Sequence, residues 1–180
     1  MTRSFRTLAF GALLGQVLAA GAATAVVGQP FVPARVSGSA LCSVAACRPE
    51  GTFTSEDKFT GANASVLYRF ALSWNPTVVK RPVVSVVLND HKVVRLVKLE
   101  FSVPQGTVPA AFRTVVLAWG KTFGLTPANL APCLTVGDLK ALKKYLPYAG
   151  LPPSLDGACR ATLLASGQAN LYFDIGLPEP

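Results

Sequence analysis

The chain has little of what catalysis usually requires. Its 180 residues include one histidine, His91, and nine acidic residues. A hydrolase or transferase needs a nucleophile with a base, a pair of carboxylates or a set of metal ligands within mutual reach. Most of the acids stand singly near predicted turns or helix caps, and the adjacent pair Glu56-Asp57 falls in a predicted loop. The composition disfavours an enzyme, although catalytic groups can also assemble without a recognisable motif.

Motifs for catalysis and for cofactor binding are absent as well. The sequence has no Gly-x-Ser-x-Gly, no His-Glu-x-x-His, no phosphate-binding loop and no dinucleotide-binding glycine pattern. We therefore expect no cofactor and no metal. For an enzyme of unfamiliar type, the candidate catalytic residues are His91, Asp90 and Glu100. His91 falls beside a predicted turn, where a solvated side chain is the simpler interpretation.

Isoleucine and methionine are scarce too, with Ile175 and Met1 as their single occurrences. Ala, Val, Leu, Gly and Pro are abundant instead. The codon bias of a GC-rich bacterial genome gives this usage, so the composition favours a bacterial protein.

The first residues have the pattern of an export signal. Arg3 and Arg6 precede an uncharged stretch, residues 7–27, in which Leu, Ala, Gly and Val dominate. Arginines stay on the cytosolic side while such a stretch enters the bilayer, and Ala23-Thr24-Ala25 fits the small-x-small cleavage pattern. We predict a signal peptide over residues 1–25, with an uncleaved N-terminal anchor as the alternative. The expected location is periplasmic, in the cell envelope or extracellular.

Four cysteines follow the predicted leader. An even number of thiols in an oxidising compartment is typical of disulfide bridges. Four cysteines allow three pairings, and we favour the pairs nearest in sequence, Cys42 with Cys47 and Cys133 with Cys159. In the loop-entropy model these bridges contribute about 2 and about 3.5 kcal/mol. Their spacings fit neither a zinc site nor a Cys-x-x-Cys redox pair.

The chain after the leader divides into two parts. Residues 26–64 have scattered Gly, Pro, Ser and Thr and no sustained apolar period, so we predict a loop segment tied by the Cys42–Cys47 bridge. Residues 65–180 are predicted to form a single α+β domain. We expect an antiparallel sheet of about five strands, two hairpins plus one strand, packed on one face by two or three helices.

Alternation of apolar and polar residues predicts the strands. They are Val66–Trp74, Val83–Leu88, Val93–Val103, Arg160–Ala165 and Ala169–Leu177. The first hairpin turns at Asn89-Asp90, a pair suited to a tight turn. That turn places Val86 opposite Val93 and Arg81 opposite Lys98.

Apolar residues at helical spacing predict helices between the two hairpins. One helix is predicted over Thr107–Gly124, because its apolar residues fall on one stripe that packs on the sheet. A short helical turn follows from Thr126, and a third helix is predicted from Thr135 to Leu146 because Thr135-Val-Gly-Asp138 resembles a capping box. Its outward lysines lie toward the helix C-terminus, where cations complement the dipole. These are Lys140, Lys143 and Lys144.

The first hairpin is rich in basic side chains. Its outward face is predicted to gather four of them, which we call the basic ribbon: Lys80, Arg81, Lys92 and Lys98. Such a surface can meet phosphate or carboxylate groups, whereas lysines that keep an exposed sheet soluble are the simpler interpretation. Nucleic acid is disfavoured as a ligand, because aromatic residues are not interleaved with these cations.

The sequence therefore favours an exported, non-catalytic protein of the bacterial envelope. It would bind a protein partner or an anionic surface component through the basic ribbon. A membrane contact is expected only through an uncleaved leader. The alternatives are an exported enzyme of unfamiliar type and an inhibitor of another exported enzyme.

Overall fold

The structure is a computed structural model, and it describes residues 27–55, 65–73, 80–106 and 110–178. The predicted leader, residues 1–25, lies outside the described residues. So do Thr107 at the predicted start of the first long helix and Trp74 at the predicted end of the first strand. Within the four described ranges, none of the helices has both the length and the apolar character needed to traverse a bilayer.

One antiparallel sheet contains all seven strands of the described residues, in the order β1-β2-β3-β4-β7-β6-β5. The strands are β1 Cys47–Ser55, β2 Ser65–Leu72, β3 Lys80–Leu88, β4 Val94–Pro104, β5 Leu146–Pro147, β6 Asp156–Leu163 and β7 Gln168–Gly176. The mixed α+β class is confirmed. The predicted number of strands was too low, because the two edge strands β1 and β5 were missed.

The loop prediction for residues 26–64 is wrong in its described part. Two short helices, α1 Pro33–Ser37 and α2 Ala40–Ala45, precede β1 there. Strand β1 escaped detection because its pairing with β2 is irregular between Pro49 and Gly51. A β-bulge of this kind breaks the period of two on which strand prediction depends.

Helix α3, Phe112–Thr122, and helix α4, Pro127–Leu134, lie within the predicted helical regions. Gly124 follows α3 with a φ of 88°, a conformation that glycine adopts without strain. Thr126 caps α4: its side chain accepts a hydrogen bond from the backbone N–H of Asn129, and the Asn129 side chain accepts one from the backbone N–H of Thr126. The sequence predicted the position of this cap.

The predicted helix over Thr135–Leu146 is wrong. The region forms a 3-10 turn, Ala141–Lys143, followed by β5. Asp138 Oδ1 accepts the backbone N–H of Lys140 at 2.8 Å, so the carboxylate closes a tight local turn in place of a capping box. Leu146 then pairs with Cys159 of β6, which fixes extended backbone where the last helical turn was expected.

An aromatic cluster forms the centre of the core. Phe101 of β4 and Phe173 of β7 stack with ring centroids 6.2 Å apart. From α3, the rings of Phe112 and Trp119 lie 5.2 Å and 6.2 Å from that of Phe173. All four side chains are buried, so α3 contacts the sheet through the aromatic stripe that the sequence identified.

Two disulfides cross-link the fold, and they join the pairs that the sequence favoured. Cys42–Cys47 ties α2 to the first residue of β1, and Cys133–Cys159 ties α4 to β6. No free cysteine is present in the described residues. Two intramolecular bridges indicate an oxidising compartment, as exported proteins encounter.

Candidate functional site

The strand side chains that point away from the core form the outer face of the sheet. Because successive side chains of a strand point to opposite sides, the strands that build the core also build this face. Along β4, Val97, Leu99 and Phe101 are buried in the core. The residues between them, Lys98 and Glu100, are half-buried and polar.

A groove with a volume of about 520 Å³ lies on the outer face. Side chains from β2, β3, β4 and β7 and from the turn between β6 and β7 line it. Its polar lining residues are Arg69, Glu100, Ser102, Ser166, Gln168 and Asn170, and Val83 and Leu164 complete it. The volume falls within the range typical of ligand sites. One cation, one carboxylate, hydroxyls and amides therefore face a common space.

Hydrogen bonds from Gln105 hold the turn between β6 and β7 at one end of the groove. The side-chain amide nitrogen of Gln105, just after β4, donates to the backbone oxygens of Leu164 and Gln168 at 2.6 Å and 3.0 Å. The backbone N–H of Gln105 also donates to the oxygen of Gly167 at 2.9 Å. These bonds hold the rim of the groove against the end of the central strand.

Gln168 contributes an unused hydrogen-bond acceptor. Its side-chain oxygen Oε1 is buried and has no hydrogen-bond partner among the described residues. A buried oxygen without a donor costs free energy.

Strands β4 and β7 are joined across the floor of the groove by side chains. The hydroxyl of Ser102 donates to the amide oxygen of Asn170, its cross-strand partner. The amide nitrogen of Asn170 donates to the Tyr172 hydroxyl at 3.3 Å. The Ser102 hydroxyl is therefore engaged by an amide and not by a base that could activate it.

Arg69 of β2 forms the opposite wall of the groove. Its Nε lies 3.7 Å from a carboxylate oxygen of Glu50, and its guanidinium carbon lies 5.4 Å from the centre of the Phe53 ring. An aromatic face and a carboxylate thus hold the guanidinium from two sides. The bulge in β1 helps to bring Glu50 to this position, because it displaces the backbone at that residue.

A second charged cluster flanks the groove on β6 and β7. Arg160 Nε lies 3.8 Å from Asp174 Oδ2, and the Arg160 guanidinium lies 4.3 Å from the centre of the Tyr172 ring. Lys98 is the cross-strand neighbour of Asp174. Burial raises the pKa of Asp174 above its ordinary value of 3.8, while the Lys98 and Arg160 cations oppose the rise.

The charges around the groove are balanced. Three cations are accompanied by three carboxylates, and the six residues are Arg69, Lys98, Arg160, Glu50, Glu100 and Asp174. The sequence predicted a basic surface because it showed the charges of the first hairpin alone. The pairing of β4 with β7, which lies more than 60 residues further along the chain, adds the acid that offsets Lys98.

The register predicted for the first hairpin is wrong by four residues. Val86 lies opposite Val97, and Lys98 lies opposite Ser85 instead of Arg81. The turn is longer than expected because the side-chain oxygen of Asn89 accepts the backbone N–H groups of His91 and Val93 at 3.0 Å and 2.9 Å. A shift of the register by an even number of residues leaves each side chain on its predicted face of the sheet. The error therefore did not change which strand residues were expected to face the core.

The structure does not bring together Lys92 and Lys98, the two predicted binding residues whose side chains it describes. Lys98 is half-buried in the middle of β4, whereas Lys92 is exposed in the turn, with a φ of 58°. Lys80 pairs with Ser102 at the far end of β3, and the side chains of Lys80 and Arg81 lie outside the described part. Binding by these residues stays a prediction.

The candidate catalytic residues are also dispersed. His91 and Asp90 are exposed in the turn after β3, whereas Glu100 lines the groove. The described residues contain no cluster of three or more His, Cys, Asp or Glu side chains that could hold a metal. Around Glu100, the lining of the groove provides neither a second carboxylate nor a histidine.

Sequence reasoning missed most of the groove, including Arg69, Ser102, Gln168 and Asn170. A signal was present in each strand, because these polar residues occupy the positions between the buried apolar ones. What the sequence could not supply was the order of the strands, which sets β2 and β7 on either side of the first hairpin.

Comparison with known proteins gave no match: no family model, curated protein or solved structure is significantly similar to this chain.

Proposed function

We propose that this is an exported, non-catalytic binding protein of the bacterial envelope, and that its outer-face groove takes a segment of a protein partner. The observation that carries this proposal is the groove itself, whose lining brings together a cation, a carboxylate, hydroxyls and amides. The predicted leader and the two disulfides support export.

A polypeptide fits this lining better than an anionic surface does. An anionic surface would meet the carboxylates of Glu50, Glu100 and Asp174 as well as the three cations. A polypeptide segment offers backbone donors and acceptors for the hydroxyls and amides of the lining, and side chains of either charge for Arg69 and Glu100. Its apolar side chains can contact Val83 and Leu164.

The lining also favours binding over catalysis. Nucleophilic catalysis requires a hydroxyl or thiol within reach of a base. In the groove, the Ser102 hydroxyl is bonded to an amide, and the cysteines of the described residues are all in disulfides. Glu100 is the carboxylate among the lining residues, and Asp174, the carboxylate that interacts with it electrostatically, is paired with Arg160 at 3.8 Å.

Site-specific photocross-linking in the producing cells tests the proposal. A photoreactive amino acid at Val83 or Ser166 lies in the groove, and the same amino acid at Thr114 lies on the exposed side of α3 as a control. We expect one protein, identified by mass spectrometry, to be cross-linked from both groove positions and not from Thr114. Glu100→Lys should reduce its yield. Equal cross-linking from Thr114, or none from the groove, would contradict the proposal.

Export is tested separately on the purified native protein. The mass of the mature chain should correspond to a start at Val26, lowered by the four hydrogens lost in two disulfides. A chain with four free thiols would show that the protein does not reach an oxidising compartment.

A further inference from the structure

Half of the excess positive charge of the described residues lies in the region that contains α3, α4 and the 3-10 turn. Residues 110–155 contain five basic residues and one acidic residue, and all five basic side chains are exposed. Around the groove, by contrast, cations and carboxylates are equal in number. The two sides of the molecule therefore suit partners of different charge.

Three of these cations stand within five residues of one another. Lys140 and Lys144 flank the 3-10 turn and Lys143 is its last residue, and we call the three the lysine cluster. Helix-dipole complementarity, which the sequence suggested as their role, does not apply because no α-helix forms here. Ion pairing does not explain them either, since both salt bridges found among the described residues lie elsewhere.

The nearby acid does not neutralise the lysine cluster. Asp138 is the acidic residue of this region, and one oxygen of its carboxylate accepts the backbone N–H of Lys140 at 2.8 Å. The carboxylate is thus committed to the turn that presents the lysines. A ligand approaching the cluster meets three ammonium groups and a single, occupied carboxylate.

The lysine cluster stands on a firmly anchored segment. Leu139 and Leu142, which alternate with the lysines, are 1% and 0% exposed. On the other side, Leu146 pairs with Cys159, which the second disulfide ties to α4. The backbone that carries the ammonium groups is therefore fixed before any ligand arrives, which lowers the entropy cost of binding.

Tyr145 follows the lysine cluster directly and is 53% exposed. An aromatic ring with a polar tip beside several lysines is typical of a surface that rests at the headgroup level of a bilayer. A soluble polyanion would gain from the ammonium groups alone. Three cations together with an exposed, amphipathic ring therefore favour a membrane, which presents a flat anionic surface.

We infer that Lys140, Lys143, Lys144 and Tyr145 form a docking surface for the phosphate headgroups of an anionic bilayer. None of these four residues lines the groove, so docking there leaves the groove lining free. The protein could hold a partner and rest on a membrane at the same time.

The test measures binding of the full chain to vesicles of phosphatidylglycerol mixed with phosphatidylcholine, and to vesicles of phosphatidylcholine alone. Neutral vesicles report insertion by the apolar leader, so the difference between the two reports headgroup recognition. We expect tighter binding to the anionic vesicles that weakens as salt is raised.

A triple variant, Lys140→Gln, Lys143→Gln and Lys144→Gln, should weaken binding to anionic vesicles on the order of a hundredfold, or about fivefold per lysine. The matched control removes three exposed cations elsewhere: Arg35→Gln, Arg48→Gln and Lys121→Gln. It should change binding only severalfold. Tyr145→Ser should weaken binding by a factor that salt does not alter.

Three outcomes would overturn this assignment. The first is equal binding of the wild type to anionic and neutral vesicles. The second is equal weakening by the triple variant and its control, since net charge would then be the cause. The third is tight binding of polyphosphate by a wild type that ignores vesicles. Circular dichroism of each variant excludes misfolding as the cause of a loss.

Discussion

Adjacent residues on a single strand show how differently the two sides of the sheet are used. Phe173 of β7 is fully buried in the aromatic cluster, whereas its neighbour Tyr172 is half-buried beside the groove, beneath the guanidinium of Arg160. On the core side the side chains are defined by packing, and on the outer side by hydrogen bonds and charge pairs. The core side therefore determines stability, and the outer side is free to be adapted to a ligand.

The largest expected effect comes from truncating an aromatic residue of the core. Phe173→Ala removes a ring that contacts Phe101, Phe112 and Trp119, and it should lower the free energy of unfolding by about 3–5 kcal/mol. Tyr172→Ala is the matched variant on the outer face and should cost about 1 kcal/mol, mostly through loss of the cation–π contact. Urea denaturation without reductant measures both. Equal costs would show that the two faces are not energetically distinct.

The second prediction concerns the bridge between α4 and β6. Both of its cysteines are fully buried, and its 26-residue loop is longer than the five-residue loop of the other bridge. The double variant Cys133→Ala and Cys159→Ala should lose about 3.5 kcal/mol of stability, and Cys42→Ala with Cys47→Ala about 2 kcal/mol.

The two double variants control for each other, because each removes one bridge and two sulfur atoms. A larger loss from the Cys42–Cys47 variant would contradict the loop-entropy argument. It would indicate that the short bridge stabilises the native conformation of α2 and β1 directly.

The contrast between the two faces also explains which parts of the fold could be predicted from the sequence. Buried residues repeat at regular intervals, and the strands and helix that these intervals predicted contain the buried residues Phe70, Leu99 and Phe173 and the stripe on α3. The period fails where backbone geometry is irregular, which is why the bulge in β1 and the short turn after Asp138 were missed. Local sequence contains both irregularities, but it does not show that the bulged segment pairs with β2.

The candidate site was harder to predict because it depends on strand order. Arg69, Glu100 and Asn170 belong to three strands, and nothing local indicates that they share one groove. Lys98 was correctly placed on the outward face, but its acidic neighbour Asp174 lies on β7. A prediction of surface charge made hairpin by hairpin therefore showed the cations of the first hairpin without the acid that β7 places beside Lys98.

A smaller effect is expected from Asp174, the most buried charge of the outer face. Its folded-state pKa lies above the ordinary value of 3.8, chiefly because of burial. The folded state therefore binds a proton more readily than the unfolded chain does, and ionised Asp174 lowers stability as the pH rises from about 4. Asp174→Asn should be at least as stable as the wild type at pH 7, despite losing the partly exposed pair with Arg160.

The pH dependence of this difference provides the control. The difference in the free energy of unfolding between Asp174→Asn and the wild type should become smaller as the pH falls toward 4, because the wild-type carboxyl becomes neutral. A gap in the opposite sense, with the variant less stable at pH 7 and equal to the wild type in acid, would mean that the ionised carboxylate stabilises the fold through Lys98 and Arg160.

The smallest effects on stability are expected in the groove itself. Glu100→Gln and Ser166→Ala alter half-buried or exposed positions that have no ion pair within 4 Å among the described residues, so each should change the free energy of unfolding by less than about 0.5 kcal/mol. Both variants should nevertheless weaken cross-linking of the partner from Val83. A variant with an unchanged free energy of unfolding but reduced cross-linking of the partner identifies a binding surface, as opposed to a structural one. If either variant destabilises the protein by more than about 1 kcal/mol, the outer face is part of the framework of the fold, and the division between a stabilising side and an adaptable side does not hold.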